Sequence, residues 1–169
     1  MSGLENQKGP GKDSKEITRA KNAAYRFLTF RPRSRAELMQ KLHEREFGVS
    51  VIAAVMADLE CLGYVNDPKF AGQWAASRVR LNGFGRRRIE QELRRKGIAP
   101  DIIREAVTEA VSVDDERAAA KMAAEKKLRT LNSVGPDVRR RRQAGFLERK
   151  GFSVEIIWSI LSGRIDRVG

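Results

Sequence analysis

The chain has 169 residues, with 34 Lys and Arg against 22 Asp and Glu, and therefore a formal charge of +12 at pH 7. This charge favours a polyanionic partner, either nucleic acid or a protein with acidic patches. The single cysteine, Cys61, excludes an intramolecular disulfide, and no apolar run is long enough to span a membrane.

The basic excess is spread along the chain. The net charge is 0 over residues 1–16, +3 over 17–66, +4 over 67–113 and +5 over 114–169. We therefore expect an extended basic surface and not one small basic pocket. The lone cysteine and the absence of an apolar signal core favour a soluble, cytoplasmic protein.

The first predicted helices follow a polar leader at residues 1–15, which we expect to be flexible. Apolar residues then recur at helical spacing. Ser34 and Glu37 have the spacing of a capping box, and Ser50 is placed to cap the next helix.

Further start and stop signals divide the rest of the chain into about nine helices in all. Asp67 and Pro68 predict a helix with proline at its first position, and Gly135-Pro136-Asp137 opens another. Three glycines suit helix ends: Gly63, Gly97 and Gly151. No segment alternates like a strand, so the sequence predicts an all-α fold.

An internal repeat lies within this helical pattern. Residues 45–50, 95–99 and 149–153 each end a basic helix, turn, and open a short apolar-striped helix. The leucines just upstream are 51 and 54 residues apart: Leu42, Leu93 and Leu147. We expect three tandem three-helix repeats packed into an elongated, curved array, at residues 16–66, 67–113 and 114–163, with a frayed tail at 164–169.

Several motifs in the repeats resemble one known family. The first repeat contains Tyr25-Arg26-Phe27-Leu28, Arg31, Arg33–Leu38, Lys41-Leu42 and Leu62–Asp67. The second contains Phe70-Ala71, Trp74, Arg78, Gly83-Phe84-Gly85, Ile89, Leu93 and Lys96-Gly97-Ile98. Their order and spacing resemble the RecX family across residues 17–163, most specifically from Leu62 to Ile98. The third repeat matches more weakly, through Lys150–Ser153.

The resemblance to RecX implies three tandem three-helix units and a modulator of the RecA recombinase. Such a protein binds the RecA filament on single-stranded DNA and inhibits its ATPase, strand exchange and coprotease activities. Asn66-Asp67 departs from the family's usual acidic pair, which we expect to affect a helix cap more than function. No long coiled-coil seam appears, so we expect a monomer.

Basic side chains are the candidate contacts to the filament or to single- or double-stranded DNA. The motif at Gly83–Arg88 fits a turn opening a basic helix, because no strand precedes it and no GK[ST] follows. The arginines at 139–142 point in different directions, which leaves both a solvated helix and an electrostatic clamp open. The candidates are Arg31, Arg33, Arg35, Arg78, Arg80, Arg86, Arg87, Arg88, Arg94, Arg95, Lys96, Arg139, Arg140, Arg141 and Arg142.

The aromatic residues are interpreted mainly as packing residues, although a tryptophan could also stack on bases. Trp74 belongs to the apolar stripe of Phe70, and Trp158 lies nearer the edge of its stripe. Phe30, Tyr25 and Tyr64 are also expected to pack.

No catalytic constellation, metal site or cofactor site is predicted. His43 is the only histidine, and with Cys61 it could at most begin a metal site. An enzyme acting on nucleic acid would need clustered carboxylates, which the sequence lacks. The main alternative to a filament regulator is an autonomous helical DNA-binding protein, since each repeat resembles a helix-turn-helix in outline.

Overall fold

A computed structural model of the chain describes residues 10–131 and 133–163. These residues form nine α-helices and one π-helical turn, with no strand among them. The α-helices are α1 (Pro10–Phe30), α2 (Arg35–His43), α3 (Val49–Cys61), α4 (Asp67–Ser77), α5 (Arg86–Arg95), α6 (Pro100–Ala110), α7 (Val113–Arg129), α8 (Pro136–Lys150) and α9 (Val154–Leu161). The π-helical turn, Arg78–Asn82, follows α4 directly. The all-α prediction is confirmed.

The predicted capping box is present at the start of α2. The Glu37 backbone N–H donates to Ser34 Oγ at 3.1 Å, and the Ser34 N–H donates to the Glu37 carboxylate at 3.2 Å. The predicted cap at Ser50 is wrong. Gly48 is already the extended residue before α3, so Ser50 lies inside the helix.

The start of α4 also differs from the prediction. The helix begins at Asp67, so Pro68 is its second residue. The Asn66 side chain accepts from the Lys69 N–H at 2.8 Å and serves as the cap. The predicted opening of α8 is confirmed, with Gly135 as cap and proline at its start.

Helix α1 reaches further towards the N-terminus than the predicted leader allows. It begins at Pro10, so residues 10–15 are helical. Residues 1–9 of the leader, and the predicted tail at 164–169, lie outside the described residues.

The internal repeat has a counterpart in the backbone. The Phe47, Ile98 and Phe152 N–H groups donate to the carbonyls of Leu42, Leu93 and Leu147, at 3.4, 3.2 and 3.2 Å. The residue before each donor has a positive φ: 61° at Glu46, 73° at Gly97 and 88° at Gly151. The three turns therefore share one geometry.

The described part of the chain divides into two compact units, one up to residue 70 and the other from residue 71 onwards. In the first unit α1, α2 and α3 pack together. Their core contains Ala20, Ala24, Leu38, Leu42, Val51, Ile52, Val55, Met56, Leu59 and Val65.

In the second unit α5 packs on α6, and α7, α8 and α9 pack on one another. Buried side chains of α4–α6 include Ala75, Ile89, Leu93, Ile103 and Val107. The core of α7–α9 contains Ala120, Ala124, Leu147, Phe152, Ile156 and Ile157. Among the described helices, none combines the length and the apolar character that crossing a bilayer requires.

Candidate partner-binding surface

The three candidate arginines of the first repeat are occupied within the fold. Arg31 makes a two-pronged contact with the Glu37 carboxylate at 3.0 and 3.2 Å. Arg33 donates to the Phe27 carbonyl at 3.2 Å. Arg35 pairs with Glu60 of α3 at 2.5 Å. These contacts tie α2 to its neighbours, and they reduce what the three arginines can offer a partner.

In the second repeat, Trp74 is half-buried between two cations. The Arg78 guanidinium and the Lys96 amine each lie 4.0 Å from its ring centroid. Glu92 completes the cluster: it pairs with Arg78 at 2.7 Å and accepts from the indole N–H at 3.0 Å. Trp74 is thus a packing residue, as predicted, but its neighbours are charged as well as apolar.

The motif at Gly83–Arg88 is fastened to the end of α8. The Gly85 N–H donates to the Lys150 carbonyl at 2.8 Å, and the Arg87 N–H donates to the Gly151 carbonyl at 3.2 Å. The Arg88 guanidinium donates to the Arg149 carbonyl at 2.8 Å. The last carbonyls of a helix have no partner within it, so this turn satisfies three carbonyls at the end of α8.

Arg86 is half-buried and makes a different contact, with the start of α7. Its backbone N–H donates to the buried Glu116 carboxylate at 2.9 Å, and its Nε lies 3.5 Å from the same group. Its guanidinium also donates to the Val111 carbonyl. Arg86 therefore joins the second repeat to the third, whereas Arg87 is exposed.

The four arginines at 139–142 divide into two kinds. Arg139 donates to the Val134 carbonyl at 3.3 Å, and Arg140 donates to the Leu161 carbonyl at 3.1 Å. Arg141 and Arg142 are exposed and make no hydrogen bond or ion pair with any described residue. Trp158 is 65% exposed beside Arg140, so its expected packing role is wrong.

The candidates that face solvent form a smaller group, which we call the outward set. Arg94 belongs to this set although it forms an ion pair with Glu90 at 3.0 Å. A surface ion pair of this kind contributes little to stability, so Arg94 can exchange Glu90 for a partner. The other members are exposed and have no ion pair in the described part of the chain: Arg80, Arg87, Arg95, Arg141 and Arg142.

A cleft of about 560 Å³ lies between the π-helical turn and α7. Ala119, Ala123 and the 71% exposed Met122 form its α7 wall. Lys126 and Lys150 add positive charge. Burial lowers the pKa of the Lys150 amine, and the nearby charges of Lys126 and Arg88 lower this pKa further. Glu125 also lines this cleft, but Lys126, Arg129 and Lys150 leave the lining with a net positive charge. An apolar wall beside this positive charge suits an acidic protein surface.

Sequence reasoning missed a basic and aromatic cleft in the first repeat. Arg19, Arg26 and Phe30 lie along α1, and Arg45 joins them from the turn after α2. Phe30, which was expected to pack, is 83% exposed. The signal was present as a stripe of arginine and phenylalanine at helical spacing, from residue 19 to residue 30.

The residues considered for chemistry form no reactive site in the described chain. His43 and Cys61 are both exposed. Within residues 10–131 and 133–163, no group of three His, Cys, Asp or Glu side chains could hold a metal ion. The basic surface is therefore the feature of this fold from which a function can be argued.

Family models match all three repeats. The RecX first three-helix domain matches residues 20–59, the second matches 66–107 and the third matches 114–161. The third repeat, where the sequence resemblance was weakest, is thus matched along most of its length.

Curated relatives match nearly the whole chain. A "Regulatory protein RecX" from Streptomyces coelicolor is 34% identical over 160 residues, covering 95% of this chain and 84% of the relative. One from Thermobifida fusca is 34% identical, covering 89% and 81%. One from Mycobacterium sp. (strain JLS) is 34% identical, covering 95% and 93%.

Solved structures share the fold. The crystal structure of RecX from Lactobacillus salivarius superposes with a TM-score of 0.80 at 23% identity, covering 89% of this chain and 97% of that one. A further crystal structure of regulatory protein RecX gives 0.80 at 20% identity, covering 90% and 74%. At these identities the likeness concerns the fold alone, whereas the domain matches and the curated relatives carry the assignment. The chain belongs to the RecX family, whose members are regulatory proteins and not enzymes.

Proposed function

We propose that this chain is a cytoplasmic regulator that binds the RecA filament on single-stranded DNA and inhibits its ATPase, strand exchange and coprotease activities. The observation that carries the proposal is its membership of the RecX family over all three repeats. Its sequence resemblance to that family implied the same partner. The net charge of +12 fits a filament that contains DNA.

The outward set supplies the proposed electrostatic contacts. Arg80, Arg87 and Arg95 belong to the second repeat, and Arg141 and Arg142 belong to α8 of the third. Exposed guanidinium groups bind carboxylate and phosphate with two parallel hydrogen bonds. Several modest contacts on one chain act together, because once one is made the next becomes intramolecular.

The cleft beside α7 supports a protein partner in addition to DNA. Met122 and the alanines of that wall offer apolar area, while Lys126 and Lys150 offer charge for acidic side chains. Inhibition follows if the bound chain favours one filament conformation over another, since a ligand shifts an equilibrium only through its different affinity for the two states.

The test is RecA ATP hydrolysis on single-stranded DNA with increasing amounts of the full chain. We expect hydrolysis to fall as the chain co-sediments with the filament. Unchanged hydrolysis and unchanged filament length at saturating chain would refute the proposal. Tight binding to one duplex sequence in the absence of RecA would instead favour the autonomous DNA-binding alternative.

A further inference from the structure

The basic and aromatic cleft of the first repeat has a defined lining. It measures about 320 Å³. Helix α1 contributes one continuous face, at spacings of three and four residues, and the turn after α2 closes the other side. The lining residues are Arg19, Asn22, Ala23, Arg26, Phe27, Phe30, Arg45 and Phe47.

The charge in this cleft is of one sign. No acidic side chain lines it. Arg19 and Arg26 are exposed and make no hydrogen bond or ion pair with another described residue. Arg45 and the neighbouring Arg33 lie 5.4 and 5.5 Å from the Phe27 ring centroid. Two guanidinium groups thus lie over one aromatic ring, and those of Arg19 and Arg26 line the same cleft.

The second repeat contains the same kind of arrangement with its charge balanced. There Lys96, which is equivalent to Arg45 in the repeated turn, lies over Trp74 together with Arg78. Glu92 neutralises that cluster from the position just before Leu93. The equivalent position before Leu42 is Lys41, a cation, so the first repeat lacks this internal carboxylate. An anion from outside the chain would take its place.

The aromatic part of the cleft restricts what that anion can be. Phe30 is 83% exposed at the end of α1, beside the arginines. A large exposed ring among guanidinium groups is the pattern by which proteins hold unstacked bases and their phosphates. An acidic peptide would satisfy the charge but would leave this ring without a flat partner.

We propose that this cleft binds single-stranded nucleic acid directly. Arg19, Arg26 and Arg45 contact successive phosphates, and one unstacked base lies on Phe30. The binding belongs to the first repeat and requires no recombinase. It is therefore separate from the proposed function and can be tested without it.

The experiment measures binding of a fluorescein-labelled 20-nucleotide oligothymidine to the full chain by fluorescence anisotropy, from 50 to 200 mM NaCl. Phe30→Ala should weaken binding at least about fivefold, because stacking of one base is lost. Arg26→Ala should weaken binding and reduce the slope of log affinity against log salt by about 0.7, as expected for one lost phosphate contact on a single strand.

Two controls match these changes. Leu62→Ala removes another exposed apolar side chain, 63% exposed, that does not line the cleft. Arg104→Ala removes one exposed positive charge in α6. Circular dichroism establishes that all four variants retain the helical content of the parent chain. Binding by Phe30→Ala and Arg26→Ala within twofold of their controls would overturn the proposal. Displacement of the oligothymidine by poly-glutamate at equal charge would overturn it too, since charge alone would then explain binding.

Discussion

Glu46 has an unusual conformation for its residue type. Its φ of 61° lies in the left-handed region, where the equivalent residues of the other repeats are Gly97 and Gly151. In this region the Cβ of an L-residue approaches the following carbonyl oxygen, which costs about 1–2 kcal/mol. Glu46 is exposed, and its side chain makes no hydrogen bond or ion pair with a described residue that would offset this cost.

Glu46→Gly should therefore stabilise the protein, by about 1 kcal/mol. Relief of the left-handed strain exceeds the entropy that glycine adds to the unfolded chain. Urea unfolding followed by circular dichroism measures the change in the free energy of unfolding. The matched control is Glu105→Gly at an exposed position in the middle of α6, where the same substitution should destabilise by about 1 kcal/mol. A loss of stability in both variants would show that Glu46 is unstrained.

Residue roles could be predicted from the sequence only where they depend on near neighbours. The capping box of Ser34 and Glu37 spans three positions and was predicted correctly. The role of Arg86 depends on Glu116, 30 positions further along. Nothing in the run of three arginines distinguishes the half-buried Arg86 from the exposed Arg87, because their surroundings differ only through the packing of α7.

At the scale of elements, Arg86 and Arg87 should behave as opposites although they are adjacent. Arg86→Ala leaves the buried Glu116 without its guanidinium partner at the start of α7 and should cost about 3 kcal/mol of stability. Arg87→Ala should change stability by less than about 0.5 kcal/mol, yet weaken filament binding. Thermal unfolding and co-sedimentation together separate the two roles. Equal stability of both variants would exclude the proposed attachment of α5 to α7.

The contact between the Gly83–Arg88 turn and the end of α8 gives a second prediction for elements. A Cβ on Gly85 would lie 2.5 Å from the Gly151 carbonyl oxygen. This oxygen belongs to the backbone, so it cannot move aside as the end of a flexible side chain could. Gly85→Ala should destabilise by about 1–3 kcal/mol, the usual range for overpacking. Gly135 is also an extended residue before a helix but has open space around it. Gly135→Ala therefore measures the cost of the same substitution without a steric clash. An equal loss of stability in the two variants would refute the close contact at Gly85.

At the scale of the whole molecule, the helices and their repetition were predictable because periodicity and caps are local. The three-helix repeats are confirmed by the turn geometry and by the family domains. The basic surface was only partly predictable. Charge counts located the excess of positive charge along the chain. They could not show which arginines are paired with carboxylates or carbonyls of the same chain, because that depends on tertiary packing. The expected curvature of the array and the candidate contacts stay predictions.

A distributed binding surface makes a prediction about how substitutions combine. Arg95 in α5 and Arg141 in α8 are both exposed and share no partner among the described residues. Each change to Ala should weaken co-sedimentation with the RecA filament about two- to fivefold, the effect of one solvent-exposed ionic contact. The double variant should show the product of the two effects, since substitutions at independent sites add in free energy.

The control for these changes is Arg31→Ala. The Arg31 guanidinium is already paired with Glu37, so its loss should affect binding less. If one of the outward arginines alone abolished binding while the other had no effect, the site would be a single pocket, and the extended surface would be the wrong description.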